Sequence, residues 1–90
     1  MKANERKDRL LRALGERQAA IRRVRGLTQD RLAEAVGVDP QTIQRAERGK
    51  VGLSIVRLDE IAANLGVDLA SLFAATDAPV PAPPWDPRET

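Results

Sequence analysis

An all-α domain of five helices, closed by an extended and mostly disordered Pro-rich tail, is the fold class the sequence predicts. Three observations point there. Leu, Ile, Val and Ala recur at helical spacing within Ala/Arg/Glu-rich stretches. Most of these stretches are preceded by Ser, Thr or Asp and followed by Gly, the start and stop signals of helices. Aromatics are only 2% of the residues, so the side chains that build packed sheets are nearly missing.

The first helix is expected over about residues 5–25, with Leu10, Leu14, Ile21 and Val24 as its apolar stripe. Gly15 interrupts it at a cost of roughly 1 kcal/mol relative to Ala, and is a point where a short leading helix can separate from the main one. Gly26 ends it. Thr28 is the N-cap of a short second helix with Leu32, Ala33 and Val36 inward and Gly37 at its end; Arg31 stands where a capping box needs Glu. Asp39 and Pro40 form a strong start signal, an N-cap followed by a proline whose missing donor costs nothing there. Ile43 and Ala46 of this third helix face inward, Gln41, Gln44, Arg45 and Arg48 outward, and Gly49 ends it. Ser54 caps a fourth helix with the stripe Ile55, Leu58, Ile61, Ala62 and Leu65, and Asp68 caps a short fifth carrying Leu69, Leu72 and Phe73. Five of the six prolines follow Ala74, which predicts an extended tail.

Composition narrows the function. Ninety residues suffice for one small domain. With no Cys there are no disulfides or thiolate metal sites, and with no His the usual general base and the commonest metal ligand are missing. The carboxylates are spread along helix faces without a thiol or a phosphate-binding loop, so neither enzyme activity nor a cofactor is expected. No apolar run approaches the roughly 20 residues of a membrane span, and residues 1–5 lack signal-peptide character. The chain reads as cytoplasmic. Its net charge of +2 conceals a gradient: residues 1–25 carry nine cationic and three anionic side chains, residues 26–50 balance, and residues 51–90 sum to −4. Such a chain can lay its basic part on a polyanion, although a basic helix is more often a solvated face.

Residues 29–48 hold the informative pattern. Ala33 is small where two helices would cross, and Gly37 four residues on suits a tight turn with positive φ. Leu32, Val36, Val38, Ile43 and Ala46 are apolar at the spacings that pack two short helices steeply, which is the helix-turn-helix pattern. A generic pair of amphipathic helices is the plainer reading. Leu14-Gly15-Glu16-Arg17, Arg22-Arg23-Val24-Arg25-Gly26-Leu27-Thr28-Gln29, Leu32 to Val38, Ile43 to Lys50, Leu58 to Val67 and Leu69 to Phe73 together resemble the Cro/cI-type (XRE-type) DNA-binding family, in order and at its spacings, over about residues 14–73. The resemblance implies a five-helix lambda-repressor-like helix-turn-helix domain. The chain then divides into a basic helical N-terminal extension (1–13), the DNA-binding domain (14–74) and an Ala/Pro-rich flexible tail (75–90). Two departures stand out. Gln18 lies where the family usually has an aliphatic core residue, so that layer is expected to be under-filled or shifted. Pro40 lies where several relatives present a base-reading side chain, and proline offers a base only apolar contact.

Base reading is therefore expected from Gln41, Gln44 and Arg45, with Pro40 at most against a thymine methyl. Arg45 can give two donors to guanine O6 and N7, Gln41 can pair with adenine N6 and N7, and Gln44 reaches an outer base pair or a phosphate. The alternative for each is a solvent-exposed polar side chain. Thr28 and Gln29 stand at a helix N-terminus, which favours an anion, and Thr42 either contacts phosphate or covers the turn. By resemblance Arg22, Arg48 and Lys50 are further phosphate contacts, Arg22 having a rival role as the partner of Glu47. The remaining arginines of residues 1–12 are read as long-range electrostatics. The resemblance also implies a homodimer on a two-fold operator, with Val51, Leu53 and Val56 as the dimer surface and Leu10, Leu11 and Leu14 as the second choice. Trp85, within Pro83-Pro84-Trp85-Asp86-Pro87, suits anchoring in a protein partner's groove or back on the body. The favoured function is a transcriptional repressor. The alternatives are an antitoxin that regulates its own toxin–antitoxin pair and an interaction module that keeps the fold without reading DNA.

Overall fold

The computed structural model describes residues 2–85. Five helices follow one another: α1 (Ala3–Val24), α2 (Gln29–Val36), α3 (Pro40–Glu47), α4 (Ile55–Asn64) and α5 (Leu69–Leu72), and no strand occurs among the described residues. The start signals act as read. The side chains of Thr28, Asp39, Ser54 and Asp68 accept from Arg31, Gln41, Arg57 and Ser71 N–H at 3.0, 2.8, 3.1 and 3.1 Å. Each such cap is worth about 1 kcal/mol. The ends of α1 to α4 share one geometry, the N–H of Leu27, Val38, Lys50 and Val67 returning to the carbonyls of Arg22, Ala33, Arg45 and Ala62 at 2.9–3.1 Å.

The core is one cluster of Ile21, Leu32, Ala33, Ile43, Leu58, Ile61, Ala62, Leu65 and Leu72, with Leu14, Val36, Val38 and Leu53 packed around it. Fully burying a Leu or Ile side chain contributes roughly 1.5–3 kcal/mol, so this cluster is what makes five short elements a domain. α2 packs on α3 and α4, α1 on α3 and α5, and α4 on α5. Gly37 takes φ 81° between α2 and α3, giving the tight turn that the motif needs.

Several expectations are corrected. Gly15 does not break α1, which runs unbroken for 22 residues. Glycine stands there because α3 ends against it: a Cβ would meet the Ala46 and Glu47 carbonyls, the latter oxygen 2.7 Å away. Ile55 is 58% exposed, since it opens α4 ahead of the turns that meet the core. Val24 and Phe73, at the last position of α1 and the C-cap of α5, are exposed for the same end-of-helix reason. Gln18 leaves no gap; it is fully buried, and its amide enters a polar network instead.

The Ala/Pro-rich segment is extended and without helix or strand as expected, but through Trp85 it lies against the body. Arg17 of α1 donates to the Ala78 and Pro79 carbonyls at 2.7 and 3.4 Å, and Arg25 donates to the Pro81 carbonyl at 2.6 Å. Val80 packs on the core cluster. Asp86 and Pro87 of the tail motif lie outside the described residues.

Candidate nucleic-acid interface

The carboxylate of Glu47, near the end of α3, organises the site. Arg22 of α1 grips it with two nitrogens, Nε to Oε2 and Nη2 to Oε1, each at 2.9 Å. Gln29, the first residue of α2, donates its side-chain amide to Oε1 at 3.0 Å, and Gln18 reaches Oε2 at 3.4 Å. Arg22 Nη1 donates to the Leu27 carbonyl at 2.9 Å, so all three of its nitrogens are occupied. The ion pair is almost wholly buried, its two side chains 10% and 4% exposed. Such a pair, with its remaining hydrogen bonds satisfied, fixes geometry more than it adds stability. Here it joins α1, the start of α2 and the end of α3.

That joint leaves the other side of α3 free. Pro40, Gln41, Arg45 and Arg48 are exposed, while Gln44 and Thr42 are half-buried. Gln41, Arg45 and Arg48 fall at i, i+4 and i+7, on one face. Among the described residues the side chains of Gln41, Gln44, Arg45, Arg48 and Lys50 make no hydrogen bond and no ion pair; the ion pairs present are Arg22–Glu47 and Arg57–Glu60. A row of free amide and guanidinium donors on a helix about 10–12 Å across is of a size to enter a DNA major groove.

The expected phosphate ligands divide. Lys50 and Arg48 are exposed just beyond α3, and Thr28 is exposed at the head of α2. Gln29 is half-buried and spends its amide on Glu47, and the Arg22 guanidinium is turned inward, so at these two positions the side chains serve the joint. The proposed dimer surface divides too. Val56 is 65% exposed, but Leu53 turns inward onto the core and Val51 is half-buried, so the three do not form one exposed patch; the apolar neighbour of Val56 at the surface is Ile55. Trp85 lies at Gly66, after α4, where its ring would meet any added Cβ 2.7 Å away. It is placed on the body, at the turn between α4 and α5.

Three residues escaped the sequence reading. Arg17, 1% exposed, donates to the carbonyls of Ser71, Ala78 and Pro79 with no carboxylate beside it. Arg25 holds the end of α4 through the Leu65 carbonyl at 2.7 Å as well as the tail. Arg57 caps α2 by donating to the Val36 carbonyl at 3.3 Å. The signal for Arg17 was present: it stands between Leu14 and Ile21 on the apolar stripe of α1, where a solvated arginine has no place.

Two short helices joined by a Gly37 turn, the second held from behind and bare in front, define a helix-turn-helix DNA-binding module. A helix-turn-helix family model matches residues 18–72, and the chain belongs to that family of transcriptional regulators. It is 34% identical over 64 residues to an uncharacterised HTH-type transcriptional regulator of Sinorhizobium fredii, covering 71% of this chain and 83% of that protein. The restriction-modification controller protein C.AhdI of Aeromonas hydrophila has a similar structure, with TM-score 0.69 and 32% identity over 70% of this chain and 96% of its own. A hypothetical transcription factor from Neisseria matches with TM-score 0.68 and 26% identity, covering 76% of this chain and 79% of that one. The protein is accordingly a DNA-binding transcriptional regulator. Among the described residues no helix is long and apolar enough to cross a membrane.

Proposed function

We propose that the protein is a homodimeric repressor that reads a two-fold operator with α3. The observation that carries this is the unpaired row Gln41, Gln44 and Arg45 on a helix whose back is locked by Glu47. Free donors on a fixed frame suit recognition of base edges, because the side chains need not break internal bonds to reach them. Arg45 takes a guanine and Gln41 an adenine, and Gln44 serves an outer base pair or a phosphate. Thr28, Lys50 and Arg48 hold the phosphate backbone and set the register, with Thr42 covering the turn. The likeness to a restriction-modification controller over nearly all of that protein's length supports regulation by a module of this size.

Affinity argues for dimerisation. One module of this kind buries about 600–1,000 Å² on DNA, and doubling that gives a useful affinity. The exposed pair Ile55 and Val56 supplies an apolar surface for it. As a repressor the protein works in the cytoplasm, at the nucleoid. Selection of bound duplexes from a random pool tests the reading. It should return a two-fold motif whose half-sites lie about 34 Å apart, one turn of DNA. Recovery of sequences without enrichment would favour an interaction module instead.

A further inference from the structure

The family model begins at residue 18, so the first four turns of α1 stand outside it. They do not simply extend into solvent. The turn after α3 presses on them: Gly49 takes φ 71°, and a Cβ there would lie 2.7 Å from Arg12 Cγ and 2.8 Å from Arg12 Cα. Only glycine allows that approach. The result is a shallow depression of about 310 Å³ lined by Asp8, Arg12, Arg48, Gly49 and Lys50. Three exposed cations from two distant parts of the chain meet there, and none forms an ion pair among the described residues. Asp8, the one acid at the rim, leaves an excess of two positive charges.

We infer that Arg12 joins Arg48 and Lys50 in one clamp for a DNA phosphate, so that the N-terminal extension adds a backbone contact to the module. This rests on the reading of α3 as the groove-entering helix. An α-helix of about 10–12 Å diameter fills a major groove about 12 Å wide, and its end must then meet the phosphate wall. Arg48 belongs both to the outward row of α3 and to the depression, which makes the clamp continuous with the reading face. Grouped like charges repel one another and gain only when an anion sits among them. A duplex carries on each strand one phosphate per about 3.4 Å of helix axis, a dense row of anions for such a group of cations. Arg6, by contrast, lies on another face of α1, with Ala3 and Leu10.

Binding of full-length protein to its selected duplex and to a scrambled duplex, measured over a salt series, tests the clamp. Arg12→Gln keeps the stem that packs on Gly49 and removes the charge. It should weaken both duplexes by the same factor, several-fold at about 0.1 M salt, and lower the slope of log affinity against log salt by about one per subunit. Arg12→Lys should retain the slope, and Arg6→Gln should leave it at the wild-type value. A wild-type slope in Arg12→Gln, with site preference intact, overturns the clamp and leaves the α3 reading standing. A loss confined to the selected duplex makes Arg12 a base reader and also overturns it. A wild-type protein without preference between the duplexes overturns both.

Discussion

Glu47 shows how one buried carboxylate can set a binding surface it never touches. It gathers Arg22, Gln18 and Gln29 from α1 and α2, and so decides which face of α3 points outward. Removing one partner of such a pair leaves an uncompensated charge in a place closed to water. Arg22→Ala should therefore cost about 3–5 kcal/mol, read as a lowered urea midpoint. Replacing both members by apolar residues of similar size, Arg22→Met with Glu47→Leu, together with Gln18→Leu so that no buried amide loses its acceptor, should cost much less, because no orphaned charge remains. If Arg22→Ala unfolded within about 0.5 kcal/mol of wild type, the joint would not hold the site. The pairing of Arg22 with Glu47 was legible in the sequence through the family resemblance. The role of Gln18 was not, because a lone glutamine in an aliphatic position says nothing of a carboxylate 29 residues away.

At the scale of elements, the helices were legible where local rules decide them. Thr28, Asp39-Pro40, Ser54 and Asp68 mark starts through bonds that span three residues or fewer. What stayed hidden depends on contacts distant in sequence. Gly15 looks like a helix breaker until the end of α3 is placed on it, and the tail looks free until Arg17 and Arg25 reach it across 56–62 residues. A Pro-rich segment has few backbone donors, so arginines donating to its carbonyls are a natural way to hold it. Arg25 is thus the fastener next to Trp85. In Arg25→Ala the tail should lift, and tryptophan emission should move toward that of the ring in water, with a stability loss of about 1.5–3 kcal/mol for the charged donor's lost bonds. Unchanged emission would mean that Arg25 is not what keeps Trp85 on the body.

The described residues extend 48 × 27 × 20 Å, the long dimension reflecting a first helix of 22 residues. The charge gradient along the sequence overstates what that helix offers to DNA. Of its cations and their near neighbours, Arg17, Arg22 and Arg25 are spent on internal carbonyls or on Glu47. Arg6, Lys7, Arg9, Arg12 and Arg23 stay exposed and outside the ion pairs, and of these Arg12 lines the depression beside the end of α3. Assembly belongs to this scale as well. Ile55 and Val56 are large, apolar and exposed, and a charge between two copies would be buried without a partner. Sedimentation should show Val56→Glu as a monomer with weakened operator binding and an unchanged helical spectrum. A dimer that survives would move the interface to the Leu10 surface of α1, which is also exposed.

The claim at the centre is that α3 reads bases while its surroundings hold phosphates, and one comparison separates the two. Relative affinities for the best operator and all its single-base variants are measured for wild type, Arg45→Ala and Lys50→Ala. Arg45 stands on the outward face one turn after Gln41, whereas Lys50 follows the helix end, where the proposed reading sets it against a phosphate. Arg45→Ala should cost about 1–3 kcal/mol on the best site and flatten the preference at one base pair per half-site. Lys50→Ala should weaken every site alike. If Arg45→Ala instead lost affinity equally on all sequences, α3 would not be reading bases through Arg45.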